Sequence, residues 1–164
     1  MKSRLIGLKK ISNLLEVINQ VLLIGALSTL VLSVVLQVSL RVFFKTSFVP
    51  LSDIISYSFP IATFVGAALL FKDVNGHICI TFFTDLIGKK IQKILLVIAE
   101  ILIFLVLAYI LIWGWEFALN GRYQFSPTLK IKMVYILLVV PFFALSSIIF
   151  RIETLLDRRK NKNN

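Results

Sequence analysis

The sequence holds one histidine and one cysteine, His77 and Cys79. A single imidazole excludes a histidine metal cluster, and a single thiol excludes an internal disulfide or a paired-cysteine metal site. Cys79 stands among apolar residues, so an inert buried or interfacial thiol is the default reading. No GxGxxG, P-loop, HExxH or CxxC stretch occurs. Asp73 is too close in sequence to His77 to suggest more than a local contact, so no nucleophile, base and acid come together. No enzymatic role and no cofactor are expected. Acidic residues are also scarce, with 8 Asp and Glu against 18 Lys and Arg and a net charge of +10. On a soluble protein that excess would suggest nucleic acid. Here 59% of the residues are hydrophobic, a fraction that a soluble domain does not tolerate. The positive charge therefore reads as membrane orientation and contact with anionic lipid, and no nucleic-acid partner is expected.

Long apolar runs are what the chain has in quantity. A helix needs roughly 20 apolar residues to cross a hydrocarbon core of about 30 Å. Runs of that kind fall at about 21–40, 54–71, 94–119 and 133–150. The expected fold is an all-α membrane protein: one domain over 1–164, four spans, and interfacial amphipathic helices. Residues 1–20 form a basic amphipathic segment, with Leu8, Ile11, Leu15, Ile18 and Leu22 at helical spacing and Lys2, Lys9, Asn13 and Glu16 largely opposite. Residues 72–93 read as a second amphipathic helix lying on the membrane, with Ile80, Phe83, Ile87, Ile91 and Ile94 on one face and Thr81, Asp85, Gly88, Lys89 and Gln92 on the other. Residues 151–164 are a charged tail.

Counting Lys and Arg gives an orientation. The N-terminus, the 72–93 segment and the tail hold four, four and five, against two and three in the intervening loops. That asymmetry predicts both termini in the cytoplasm.

A few residues stand out against this background. Asp53 opens the second run, where a negative charge suits a helix N-terminus, and Lys72 closes it. Ala62 and Gly66 stand one turn apart, as do Gly114 and Ala118, and small pairs of this kind let another helix backbone come close. Gln37 reads as a helix–helix hydrogen-bond partner. Arg41, Asp53 and Glu116 fall at one interface, where a structural salt bridge among them is the favoured reading. Trp113 and Trp115 beside Glu116 suit the same level. Glu100 lies deeper and is the most costly carboxylate, so a partner such as Lys93 or Lys72 is expected, or a polar group of another subunit. Asn120 to Lys132 is a polar loop that carries Arg122 and the Asn-Gly and Ser-Pro turn signals. Pro141 should kink the last span.

Part of this pattern resembles a known family. Arg41-Val42-Phe43-Phe44, a short Ser-containing loop with an acidic residue, Phe64-Val65-Gly66-Ala67-Ala68, Lys72-Asp73 and Gly76-His77-Ile78 are similar to the small permease subunit of tripartite ATP-independent periplasmic (TRAP) transporters. Leu40 to Thr81 carries the likeness best. Where the family usually has Trp and paired carboxylates before the second span, Pro50-Leu51-Ser52-Asp53-Ile54 leaves one Asp.

The resemblance implies a small non-catalytic subunit of a Na⁺-coupled system for organic acids of the dicarboxylate or sialic acid type, in the bacterial inner membrane. It implies two partners: a large permease subunit that holds the substrate and ion sites, and a periplasmic substrate-binding protein. This chain would brace the scaffold of the large subunit, with His77 helping to start the amphipathic helix. The rival reading is a small self-associating proton-coupled transporter with Glu100 as the carrier.

Overall fold

In the computed structural model the described residues are 2–46, 48–72 and 89–161. His77, Cys79 and most of the expected amphipathic helix over 72–93 lie outside them. Four long helices carry the chain: α1 (Lys2–Phe43), α2 (Val49–Leu70), α3 (Lys89–Asn120) and, after the single turn α4 (Val134–Leu137), α5 (Val139–Asn161). Among the described residues there is no strand, only an isolated bridge between Phe125 and Lys132. Each of the four regions is long and apolar enough to cross a membrane, so the chain is an all-α multi-pass membrane protein.

The helix ends follow from local chemistry. The basic segment and the first apolar run form one helix, since no proline interrupts residues 2–43. It stops where Lys45 takes a left-handed conformation (φ 49°), letting the Thr46 amide reach back to Leu40 O at 3.4 Å. A left-handed residue commonly stops a helix and is usually glycine; lysine there costs on the order of 1–2 kcal/mol. α2 then starts at Val49, one turn earlier than expected. Pro50 fits there because the first turn needs no amide donor and proline's φ is already helical. Asp53 is therefore in the second turn, not at the helix N-terminus.

The proline in the last span acts upstream of itself. Pro141 has no amide to offer the Leu137 carbonyl, and the helix breaks at Leu138, between α4 and α5. The ladder resumes with Phe142 N to Leu138 O at 3.2 Å. No further Pro or Gly follows, and α5 runs on through the charged segment to Asn161.

α2 and α5 occupy the middle. α1 flanks α2 and touches α5, and α3 flanks α5. Ala68, Leu107, Phe143, Ala144 and Phe150 form the buried cluster, with the Phe64 and Phe71 rings against Phe143 at 5.5 and 6.3 Å. The first turns of α1 and the last turns of α5 meet through Lys9 and Asp157, on the same side of the bundle.

Candidate functional site

Two belts of polar side chains cross the bundle, one near each end. Along α2 they are separated by the stretch from Asp53 to Lys72, roughly 29 Å at the 1.5 Å rise of a helix. That matches the hydrocarbon thickness of a bilayer. The belts fix helix against helix where the chain passes from lipid to headgroups.

At the Lys72 end, Lys72 Nζ lies 2.5 Å from Glu16 Oε2 and 3.0 Å from Asn13 Oδ1, and sits over the Phe150 ring. Arg151, only 2% exposed, donates from Nε to Glu100 Oε2 at 2.8 Å and from Nη2 to Oε1. Ser12 donates to the buried Glu153 carboxylate, and Lys9 pairs with Asp157 at 2.8 Å. Thr154 Oγ1 is 3.0 Å from Phe150 O and 3.3 Å from Lys72 O, near the end of α2. Its one hydroxyl proton serves one carbonyl at a time.

The inward side of the N-terminal segment is mixed: Ser12 is buried, Glu16 is half-buried and Leu15 packs against the buried cluster, while Ile11, Leu14, Val17 and Val21 point outward. Outward apolar side chains suit an apolar surrounding, where inward polar groups need partners that lipid cannot provide. Asn19 belongs to the same inward side. It is fully buried, and its amide nitrogen bonds Leu15 O at 2.8 Å.

At the Asp53 end, Gln37 Nε2 donates to Ser52 Oγ at 2.9 Å, joining α1 to α2 as a helix–helix hydrogen bond. Asp53 reaches the loop between α3 and α4. It accepts from Ser126 Oγ at 2.5 Å and from the Thr128 amide at 3.0 Å. The loop has its own frame: Ser126 N to Ile131 O at 2.9 Å and Met133 N to Gln124 O at 3.0 Å. Lys130 sits within it at φ 53°.

The expected pairing among Arg41, Asp53 and Glu116 is not what joins this end. Asp53 is taken by Ser126 and Thr128, whose turn lies nearer than the long Arg41 side chain's exposed position. Arg41 and Glu116 are exposed and have no ion-pair partner among the described residues. Glu100 takes Arg151, not Lys72, because Lys72 is engaged by Glu16. The side chain of Lys93 lies outside the described residues.

The remaining candidates are packing positions. Gly66 faces α1, where a Cβ would meet Leu23 Cδ1 at 3.4 Å. Gly114 is tighter, with Val140 Cγ1 at 3.0 Å and the Pro141 nitrogen at 3.7 Å, so the backbone of α3 comes close to the helix break. Arg122 is exposed over the Tyr123 ring at 4.8 Å.

Arg151 holds Glu100 and Ser126 holds Asp53, and sequence reasoning gave neither a partner. The signal for Arg151 is depth: it ends the last apolar run at the level where Glu100 begins to be buried, in an antiparallel neighbour. Among the described residues no group of three His, Cys, Asp or Glu is placed to hold a metal ion. The arrangement is one of braces and not of reactive groups. Comparison with curated proteins gives no match. Residues 30–161 match the sequence model of the DctQ component of tripartite ATP-independent periplasmic transporters, and the chain belongs to that family.

Proposed function

We propose that this small TRAP transporter subunit is a non-catalytic brace for a large membrane subunit that carries out transport. The observation that carries the reading is how little its outer helices bury within the chain. Only 6% of the apolar stretch in each of α1 and α3 is buried. The polar belts tie these two exposed helices firmly to α2 and α5. A rigid sheet of helices with large outward apolar faces suits a fixed scaffold that must resist tilting while another part moves.

In this reading the system is Na⁺-coupled and takes up an organic acid of the dicarboxylate or sialic acid type. The substrate and ion sites belong to the large subunit, and this chain needs no cofactor. We place the chain in the bacterial inner membrane; the thirteen Lys and Arg of the N-terminal, 72–93 and tail segments, against five in the intervening loops, support both termini in the cytoplasm. The loop that Asp53 holds then faces the periplasm, presenting Arg122, Lys130 and Lys132 to the substrate-binding protein.

Gentle purification of this chain from native membranes tests the proposal. The expected result is recovery with a large many-span membrane protein in fixed stoichiometry, and loss of uptake when this chain is deleted. Recovery as a homodimer, with proton-coupled transport in liposomes from this chain alone, would overturn it.

A further inference from the structure

Between the Asp53-end third of α1 and the start of α2 lies a groove of about 380 Å³, lined by Val34, Gln37, Val38 and Arg41 of α1 and by Ile55 of α2. The four α1 residues follow i, i+3, i+4, i+7 spacing, so they form one stripe of the helix. The volume falls in the range of small-molecule sites. The groove is apolar in effect, because the Gln37 amide is already bonded to Ser52 Oγ at 2.9 Å.

Its mouth is different. Arg41 is exposed and has no ionic partner among the described residues. Asp53, the acidic residue closest to it in sequence, is committed to Ser126 and Thr128. Beyond the mouth, Phe43, Phe44 and Phe48 are 79%, 72% and 56% exposed. Arg41 ends the α1 span, and an arginine at a span's end reaches the headgroups while its stem stays among the hydrocarbon.

We propose that this groove is a phospholipid site, with the lipid phosphate on Arg41 and one acyl chain along Val34, Val38 and Ile55. The complementarity is of two kinds at the right separation: an unneutralised guanidinium at headgroup depth, and an apolar trough running from it toward the bilayer centre. Guanidinium pairs with phosphate through two parallel hydrogen bonds, which a partner helix would match only by bringing its own anion to this point. The bound lipid fills the α1–α2 crevice on the side that the rest of the bundle leaves open. The site stands whether or not the chain acts as a brace.

The test uses the full chain, purified both alone and with whatever membrane subunit accompanies it, and titrated with phosphatidylglycerol and phosphatidylethanolamine under native mass spectrometry. The wild type should retain one phospholipid through detergent exchange. Arg41→Gln, which keeps a polar side chain but removes the charge and the guanidinium fork, should weaken retention about tenfold. Val38→Trp, a change on an exposed position that fills the trough, should abolish it, and Lys45→Gln should leave it unchanged. A photo-crosslinking residue at position 38 should yield a lipid adduct in native membranes. Equal retention in all variants overturns the proposal, and so does an adduct from position 38 to a protein.

Discussion

Arg151 of α5 closes on Glu100 of α3 with two donors, Nε at 2.8 Å from Oε2 and Nη2 on Oε1. It is the main polar link between these two helices, and the arginine is buried while the carboxylate is partly open. A buried pair of this kind is damaged far more by losing one partner than by losing both. Glu100→Gln should therefore cost about 3–5 kcal/mol of stability, and the double variant Glu100→Leu with Arg151→Met should recover most of it. Unfolding in a graded denaturing detergent measures both. If the Gln variant unfolds like the wild type yet uptake disappears, Glu100 acts in transport and the structural account of it fails.

Lys72 offers a contrast at the same depth. Its pair with Glu16 is 2.5 Å long, but the side chains keep 23% and 32% of their exposure. Partly solvated pairs contribute roughly 0–1 kcal/mol. Lys72→Met should shift the unfolding midpoint little, and added salt should shrink even that difference. A loss comparable to Glu100→Gln would show that the Lys72 end is drier than its exposure indicates.

The loop after α3 depends on one carboxylate. Asp53→Ala leaves Ser126 Oγ and the Thr128 amide without their acceptor, at a cost of about 1–3 kcal/mol. Amide hydrogen exchange should accelerate over Ser126 to Lys130, while the α1–α2 bond from Gln37 to Ser52 stays intact. Asp53→Asn keeps an acceptor oxygen and should show a smaller change.

Two glycines should respond in opposite ways. At Gly66 a Cβ would rest 3.4 Å from a flexible Leu23 methyl, an ordinary contact. Gly66→Ala also removes a mid-helix glycine, so its effect should run from neutral to about 1 kcal/mol stabilising. At Gly121 the same atom would meet Leu137 Cδ1 at 2.7 Å and the backbone nitrogen of Val134 at 3.1 Å. The Leu137 methyl can swing aside, but the Val134 backbone cannot, and Gly121→Ala should cost roughly 1–3 kcal/mol. Thermal unfolding of the two variants side by side decides the matter.

The spans are legible because their signal is length of apolar sequence, which tertiary contacts do not alter. Gln37 was legible for a related reason: a polar amide in an apolar run must find a partner on another helix. Partner identity was not legible. Asp53 looked like a helix-start charge because the sequence hides that Val49-Pro50 opens the helix a turn earlier. Glu100 points to Lys93, Lys72 or a polar group of another subunit, yet its partner is Arg151, 51 residues away on α5. The amphipathic stripe of residues 1–20 is legible, but not that Ser12 and Asn19 turn inward while Ile11 faces out. In water a stripe points its apolar side at the protein. In a membrane protein either side can face in, and only the neighbouring helices decide.

The clasp between α1 and α5 also has a consequence in time. Ser12 and its acceptor Glu153 are 141 residues apart. A ribosome adding about 5–20 residues each second needs roughly 7–28 s to travel that distance. While those residues are being added, the helix that engages Ser12 and Lys9 does not yet exist. Ser12 must stay wetted, or shielded by the insertion machinery, until the last helix arrives, although Asn13 and Glu16 can meet Lys72 earlier. The clasp of this subunit is thus finished from its tail, and a chain cut short before α5 would hold its beginning by α2 alone.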